Sequence, residues 1–418
     1  MKFVLAFYGS RGDVEPCIAV GRELLRRGHE VRAAVSPNLV DFTESAGLQA
    51  VAFGPDSRAW QDLHRDFMTQ LFTKFWRVRD VIELGRADWA LFGQFWKEAN
   101  ATLTSLADGA DLLLADAGFD RPVANVAESR GIPLATLHTS PLRAHSELVP
   151  KSSPLIRAAT ATAKWSTGWL EKRFSDAQRR ELGLPRTPKD SSADRGSLEI
   201  QAYDGACFPG LTDQWAQTDG QRPLVGAMSI QMSTEADEEV AAWIAAGTPP
   251  VFFGFGSMPV KSPAETLRMI TAACSELGER ALVCSAGTDF EGVPHDGPVK
   301  VVEEINFAKI FPACRAVVHH GGTGTTAAGL RAGVPTLILS TWLDQILWGA
   351  QVKRLKVGTS RSLANTTQET LVADLRTILT EDCVARAREL APRMTKPVES
   401  AANAADHVES FARLGGVG

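Results

Sequence analysis

What most limits the fold of this chain is the recurrence of short apolar runs, each closed by turn residues and followed by a helical stretch. Runs of this kind read as strands buried on both faces of a sheet. Lys2 to Phe7 leads into the turn Gly9-Ser10-Arg11-Gly12-Asp13, then Pro16 and an amphipathic helix carrying Ile18, Val20, Leu24 and Leu25. Pro16 suits a first helical turn, where its missing N–H is no loss, so the helix is expected to begin near it. Gly28 takes the place of a C′ glycine and Glu30 to Val35 resumes as a strand, giving a βαβ opening. Asp111 to Ala115, ending at Asp116, and Pro133 to Leu137, ending at His138, follow in the same manner.

A second series starts at Pro250-Val251-Phe252-Phe253-Gly254-Phe255-Gly256-Ser257 and continues through Ala281 to Cys284, Val299 to Val302, Ala316 to His319 and Pro335 to Leu339. Thr366-Thr367-Gln368-Glu369 has the form of a capping box at a late helix. Strands alternating with helices, twice over, predict an α/β chain with two Rossmann-like, doubly wound parallel sheets. The 418 residues fit two or three domains. The expected division is a first domain over 1–215, a polar linker over 216–232 and a second domain over 233–396. A last helix within 397–418, roughly Val398 to Leu414, is expected to pack back on the first domain.

With 44 % hydrophobic and 22 % charged residues, a wholly disordered or fibrous chain is excluded. The formal net charge of -5 is spread evenly over both halves, so neither carries a nucleic-acid footprint. The six cysteines form no C-x-x-C pair, which argues against a zinc ribbon or disulfide framework and makes a reducing cytoplasm the default. No stretch approaches the ~20 apolar residues of a spanning helix, which leaves only peripheral contact with a membrane.

The most specific segment is His319-His320-Gly321-Gly322-Thr323-Gly324-Thr325-Thr326, ending a strand and opening the helix Ala327 to Ala332. Glycines and threonines at a helix N-terminus present free N–H groups, hydroxyls and the positive dipole end, which favour a phosphate or diphosphate. His319 adds a donor. The plainer alternative is that the glycines let the helix pack closely on the sheet and Thr323 caps it.

The run AVVHHGGTGTTAAGLRAGVPTLIL, with GSRGDVEP near the N-terminus, resembles the family-one glycosyltransferases of GT-B fold, especially bacterial enzymes acting on natural products, sterols and mycobacterial glycolipids. The resemblance spans essentially the full chain. It implies two Rossmann-like domains facing across a cleft, with a UDP- or dTDP-sugar on the second domain and no further cofactor. By the same resemblance His319 meets a donor phosphate, and Gly321, Gly322, Thr323, Gly324 and Thr325 complete the diphosphate cradle. Ser257 matches a serine near the nucleotide, with a plain turn cap as its alternative. Asp344 and Gln345 match the acid-amide pair that binds hydroxyls of the donor sugar, although Asp344 also suits a helix N-cap. The stretch Ile305 to Phe311 departs from the family's Pro-His pattern, so the base is left open.

Asp13 matches the family's general base, at the carboxyl end of the first strand where open α/β sheets bind ligands. A carboxylate there can accept the acceptor hydroxyl's proton; capping the next helix is the competing role. Ser10 and Gly12 are expected to shape the turn near the phosphates. Asp116 matches an orienting aspartate of plant relatives, yet a carboxylate beside Asp13 would repel it. Residues 60 to 96 hold nine of the 31 aromatic side chains at helical spacing. The resemblance makes this segment a wall of the acceptor site, with Trp76, Phe92 and Trp96 facing a lipophilic or aromatic small molecule or glycolipid. His138 either lines that site or is a satisfied core histidine.

No Asp-x-Asp occurs, so a metal-diphosphate clamp has no ligand pair and no metal is expected. The first βα turn is not Gly-x-Gly-x-x-Gly, which argues against a nicotinamide dinucleotide. The expected activity is inverting transfer of a hexose or deoxyhexose to an acceptor hydroxyl. A nucleotide-sugar epimerase and a non-catalytic auxiliary protein share the architecture and stand as alternatives.

Overall fold

The structure is a computed structural model that describes residues 1–73, 77–140, 168, 171–186, 197–211, 215, 221–256, 260, 262–286, 290, 298–341 and 343–415. Among these, twelve strands form two six-stranded parallel sheets. The first holds β1 (Lys2–Phe7), β2 (Glu30–Val35), β3 (Gln49–Ala52), β4 (Leu112–Asp116), β5 (Leu134–His138) and β6 (Leu198–Gln201), in the order β3-β2-β1-β4-β5-β6. The second holds β7 (Val251–Gly254), β8 (Ala281–Cys284), β9 (Val299–Val302), β10 (Ala316–His319), β11 (Thr336–Ser340) and β12 (Gly358–Ser362), in the order β12-β11-β10-β7-β8-β9. Strand order reverses between β1 and β4 and again between β7 and β10. Crevices at the carboxyl ends of such reversals are where doubly wound sheets bind ligands.

Alternation along β1 shows why both faces are covered. Phe3, Leu5 and Phe7 enter one core with Ile18, Val20 and Leu24, while Val4, Ala6 and Tyr8 enter another with Phe53, Phe95 and Leu103. The same division separates Val251 and Phe253 from Phe252 in the second sheet.

The apolar runs became strands, but β3, β6 and β12, which lacked a clear apolar signal, all lie at sheet edges. Strand β3 is largely exposed and β12 reads Gly-Thr-Ser-Arg-Ser. The first helix begins at Arg11, not near Pro16, because Ser10 and Asp13 close its N-terminus. Pro16 therefore sits inside it, without the N–H that would bond the Gly12 carbonyl. The helix after β10 starts at Thr323, four residues before the expected Ala327. At Gln368–Ile378 the cap is Thr367 with Thr370, one residue beyond the expected Thr366 and Glu369 pairing.

Two stretches join the halves. Tyr203, Cys207, Phe208 and Leu211 bury with Leu330, Ile338 and Trp348 of the second half, before Val225 and Met228 return to the core of the first. The last helix, Pro397–Arg413, buries Ala401, Ala404, Ala405 and Val408 against that same first core. No helix among the described residues is long and apolar enough to cross a membrane.

Candidate active site

At the end of β1 the chain turns sharply through Gly9, whose φ of +138° suits glycine; a Cβ there would stand 2.4 Å from Asp13 Oδ2. The turn delivers Asp13 to the third position of the first helix. Its Oδ2 accepts the Ser10 N–H at 2.7 Å and the Ser10 hydroxyl at 2.8 Å. Ser10 is thus committed to Asp13. Burial pushes the Asp13 carboxyl above its ordinary value, and the two Ser10 hydrogen bonds pull it back. Its Oδ1 makes no hydrogen bond to the described residues. Gly12 is exposed, one residue before it.

Asp13 lines a cavity of about 410 Å³ together with Asp116 at the end of β4, His138 at the end of β5, and Asp344 from the second half. Three carboxylates and an imidazole from four separate segments therefore meet at one crevice. His138 is buried and its Nε2 pairs with Thr136 Oγ1 at 3.0 Å, so it is both satisfied and part of the wall. Asp344 sits in the first turn of the helix Leu343–Arg354. Burial raises its carboxyl, the backbone N–H of Gln345 and its own N–H lower it, and Asp13 raises it again. Capping and lining the cavity are not exclusive here.

The aromatic lining differs from the expectation. Tyr8, Trp60 and Phe119 face the cavity. Phe92 stands behind Trp60 at a centroid distance of 6.0 Å, and Trp96, 4 % exposed, lies deeper against Phe92 and Phe174. Neither lines the cavity; Trp76 lies outside the described residues. Trp60 is held by its Nε1–H to Asp88 Oδ1 at 2.9 Å, and Tyr8 by its hydroxyl to the Pro55 carbonyl at 2.9 Å. The one signal for Tyr8 was its place beside Gly9 at a strand end. Phe119 follows Asp116 in the same way.

Across the cleft, β10 ends at His319, fully buried. Its Nδ1 accepts the Gly321 N–H at 3.0 Å, which places the ring proton of the neutral form on Nε2. That Nε2 has no partner among the described residues. Burial, then the neighbouring His320, holds the imidazole well below its ordinary pKa, so the ring is a neutral donor at pH 7. His320, lowered to about 4 by burial, is wedged between the two glycine turns: a Cβ on Gly256 would come within 2.8 Å of its ring and one on Gly322 within 2.6 Å. Gly321, at φ +102°, packs against Ile338 and Gln345.

The first intrahelical bond of Thr323–Arg331 is Thr326 N–H to Gly322 O, at 2.9 Å. The N–H groups of Thr323, Gly324 and Thr325 make no hydrogen bond among the described residues. A Cβ on Gly324 would meet nothing within 4 Å, so its backbone is open to a ligand. Three open N–H groups at the positive end of a helix dipole are an arrangement that favours an anion, and His319, which ends the strand leading into them, carries a ring N–H as a further donor. Gln345 is buried, and its Oε1 accepts the Thr341 N–H at 2.7 Å, which fixes the amide. Ser257 lies outside the described residues.

Comparison with known proteins finds relatives for both halves of the chain. The glycosyltransferase family 28 N-terminal domain matches residues 3–90, and the erythromycin biosynthesis protein CIII-like C-terminal domain matches residues 270–409. An uncharacterized glycosyltransferase of Mycobacterium tuberculosis is 53 % identical over 99 % of both chains. A sterol 3-beta-glucosyltransferase of Arabidopsis thaliana is 28 % identical over 99 % of this chain and 68 % of its own. Among solved structures, the kitacinnamycin glycosyltransferase superposes with a TM-score of 0.72 at 17 % identity, covering 98 % of each chain. The glycosyltransferase VinC in complex with dTDP gives 0.62 at 18 %, covering 98 % of this chain and 100 % of its own. These structural likenesses speak to the fold, and the 53 % identity to kinship: the chain belongs to the family-one glycosyltransferases of GT-B fold.

Proposed function

We propose that this glycosyltransferase moves a hexose or deoxyhexose from a UDP- or dTDP-sugar to a hydroxyl of a lipophilic or aromatic acceptor, a small molecule or glycolipid, with inversion. The observation that carries the reading is the Nε2–H of buried His319, without a partner among the described residues, on the strand that leads into an open helix N-terminus whose Thr323 bonds to Thr139 of the cavity that holds Asp13. In this reading the acceptor lies against Tyr8, Trp60 and Phe119. Asp13 takes its hydroxyl proton as the new C–O bond forms at the anomeric carbon, and the bond to the diphosphate oxygen breaks on the opposite face. Charge developing on the leaving diphosphate meets His319 and the N–H groups of Thr323, Gly324 and Thr325. These preorganised donors stabilise it without reorientation. The absence of Asp-x-Asp from the sequence supports a mechanism in which these donors stand in place of a metal. VinC, solved with dTDP, supports a nucleoside diphosphate as leaving group.

Two variants test the assignment. Asp13→Asn should bind dTDP or UDP as the wild type does, while transfer to a panel of sterol, phenol and glycolipid acceptors drops by roughly 10²–10⁴-fold. Full turnover in that variant would remove Asp13 from the base role. His319→Ala should weaken nucleoside diphosphate binding by about 10- to 100-fold, the worth of one hydrogen bond to a charged group. Unchanged affinity by calorimetry would mean the diphosphate lies elsewhere. An epimerase would instead convert its donor with no acceptor present.

A further inference from the structure

Thr323 opens the cradle helix Thr323–Arg331, beside the glycines expected to hold the diphosphate. Its hydroxyl is engaged elsewhere. Oγ1 donates to the carbonyl of Thr139 at 2.8 Å and accepts the Nε1–H of Trp348 at 2.9 Å. A hydroxyl has one proton to give, and here it goes across the cleft. Thr139 follows His138 at the end of β5 and lines the cavity that holds Asp13. Trp348 is 1 % exposed in the core behind the cradle helix, so its indole fixes the lone pair it meets and with it the direction of the Thr323 proton. The first residue of the helix at the anion site is thereby bonded to a wall of the cavity in the other half.

We propose that Thr323 is a positioning residue that holds the donor helix in register with the acceptor cavity, and that its hydroxyl is not a phosphate ligand. The proposal rests on the transfer reaction proposed above. Anion binding is left to backbone N–H groups and His319, which need no threonine hydroxyl. The Thr139 bond serves the distance between the two substrates, on which a small misplacement costs rate.

Thr323→Val keeps the side-chain shape and loses both hydrogen bonds; Thr323→Ser keeps the hydroxyl. By calorimetry with dTDP and UDP as probes, the Val variant should bind within about twofold of the wild type. Its kcat with an acceptor found in the panel should fall roughly five- to tenfold at unchanged donor KM, the worth of about one hydrogen bond. In small-angle scattering of the ligand-free proteins, its radius of gyration should exceed the shared value of the wild type and the Ser variant. Loss of nucleotide affinity in Thr323→Val, with an unchanged radius, would overturn the proposal and make the hydroxyl a donor ligand. If the wild type transfers from no nucleotide sugar, the reaction is wrong, and scattering still decides the cleft contact on its own.

Discussion

Asp13 shows how one side chain serves two roles that compete on paper. One carboxylate oxygen is spent on Ser10, which closes the first helix, and the other is left for chemistry. Gly9 makes this possible, since any side chain there would collide with Oδ2. The raised carboxyl has a consequence for stability. A group whose pKa is higher folded than unfolded favours the fold below the unfolded value, and that benefit is lost as pH rises through the folded one. Wild-type Asp13 thus weakens the fold at neutral pH, chiefly through burial. Asp13→Asn keeps an oxygen for Ser10 and removes the charge, so its melting temperature should equal or exceed the wild type's at pH 7. That advantage should shrink as the pH falls through the raised folded value of Asp13 and be gone once it is below the ordinary aspartate range. A variant markedly less stable at pH 7 would mean the charge itself holds the turn. Asp13 and His319 were legible because turn and cradle chemistry are local in sequence. Trp60 opens the aromatic segment read as an acceptor wall, but Tyr8 and Phe119 were not legible, because a cavity wall is assembled from segments that only the fold brings together, and helical spacing alone points as readily to Phe92 and Trp96, which fill the layer behind.

At the level of elements, the interior strands could be read because burial on both faces demands continuous apolar runs. Edge strands face water on one side and lose that signature, as β3 and β12 do. The last helix returns to the first half through side chains that no local pattern pairs. Arg27 at the end of the first helix donates to Asp406 at 2.6 Å, to Glu409 at 3.3 Å and to the Ala402 carbonyl at 3.1 Å, and His29 meets Glu409 at 3.0 Å. Burial pushes the Glu409 carboxyl up, but hydrogen bonds from His29 and Arg27 outweigh it and hold the group below its ordinary value. A depressed carboxyl stabilises the fold above its unfolded pKa, and the contribution fades as pH falls through the folded one. Arg27→Ala should therefore cost about 2 kcal/mol at pH 7 by denaturant titration. The gap to the wild type should close as pH drops below the ordinary glutamate range. An undiminished gap in acid would assign the loss to packing of the arginine stem.

For the whole molecule, the decisive feature is that the cradle helix is fixed at both ends. Its N-terminal Thr323 bonds to the first half, and its C-terminal Arg331 enters the node where the chain passes between halves. There Asp204, 1 % exposed, accepts the Thr395 N–H at 2.6 Å, the Ala227 N–H at 3.2 Å and the Arg331 guanidinium at 3.4 Å. Arg331 also donates to the Thr395 carbonyl at 2.6 Å and to that of Ala227. Gly226 fits between Ser400 and Thr395 with no room for a Cβ. Nine helical residues span only about 13 Å, so a shift at the node moves the cradle almost directly. Asp204→Ala takes the carboxylate from the part-buried Arg331 guanidinium and leaves two N–H groups unpaired, a loss on the order of 3 kcal/mol. It also removes a polar contact between the segment that joins the halves and the helix of the second half. Calorimetry should show a lowered melting temperature and a single wild-type transition resolved into two, with dTDP raising only the one that belongs to the second half. A variant that melts as the wild type does, in one transition, would show that the halves are coupled by their packed cores and not by this polar node.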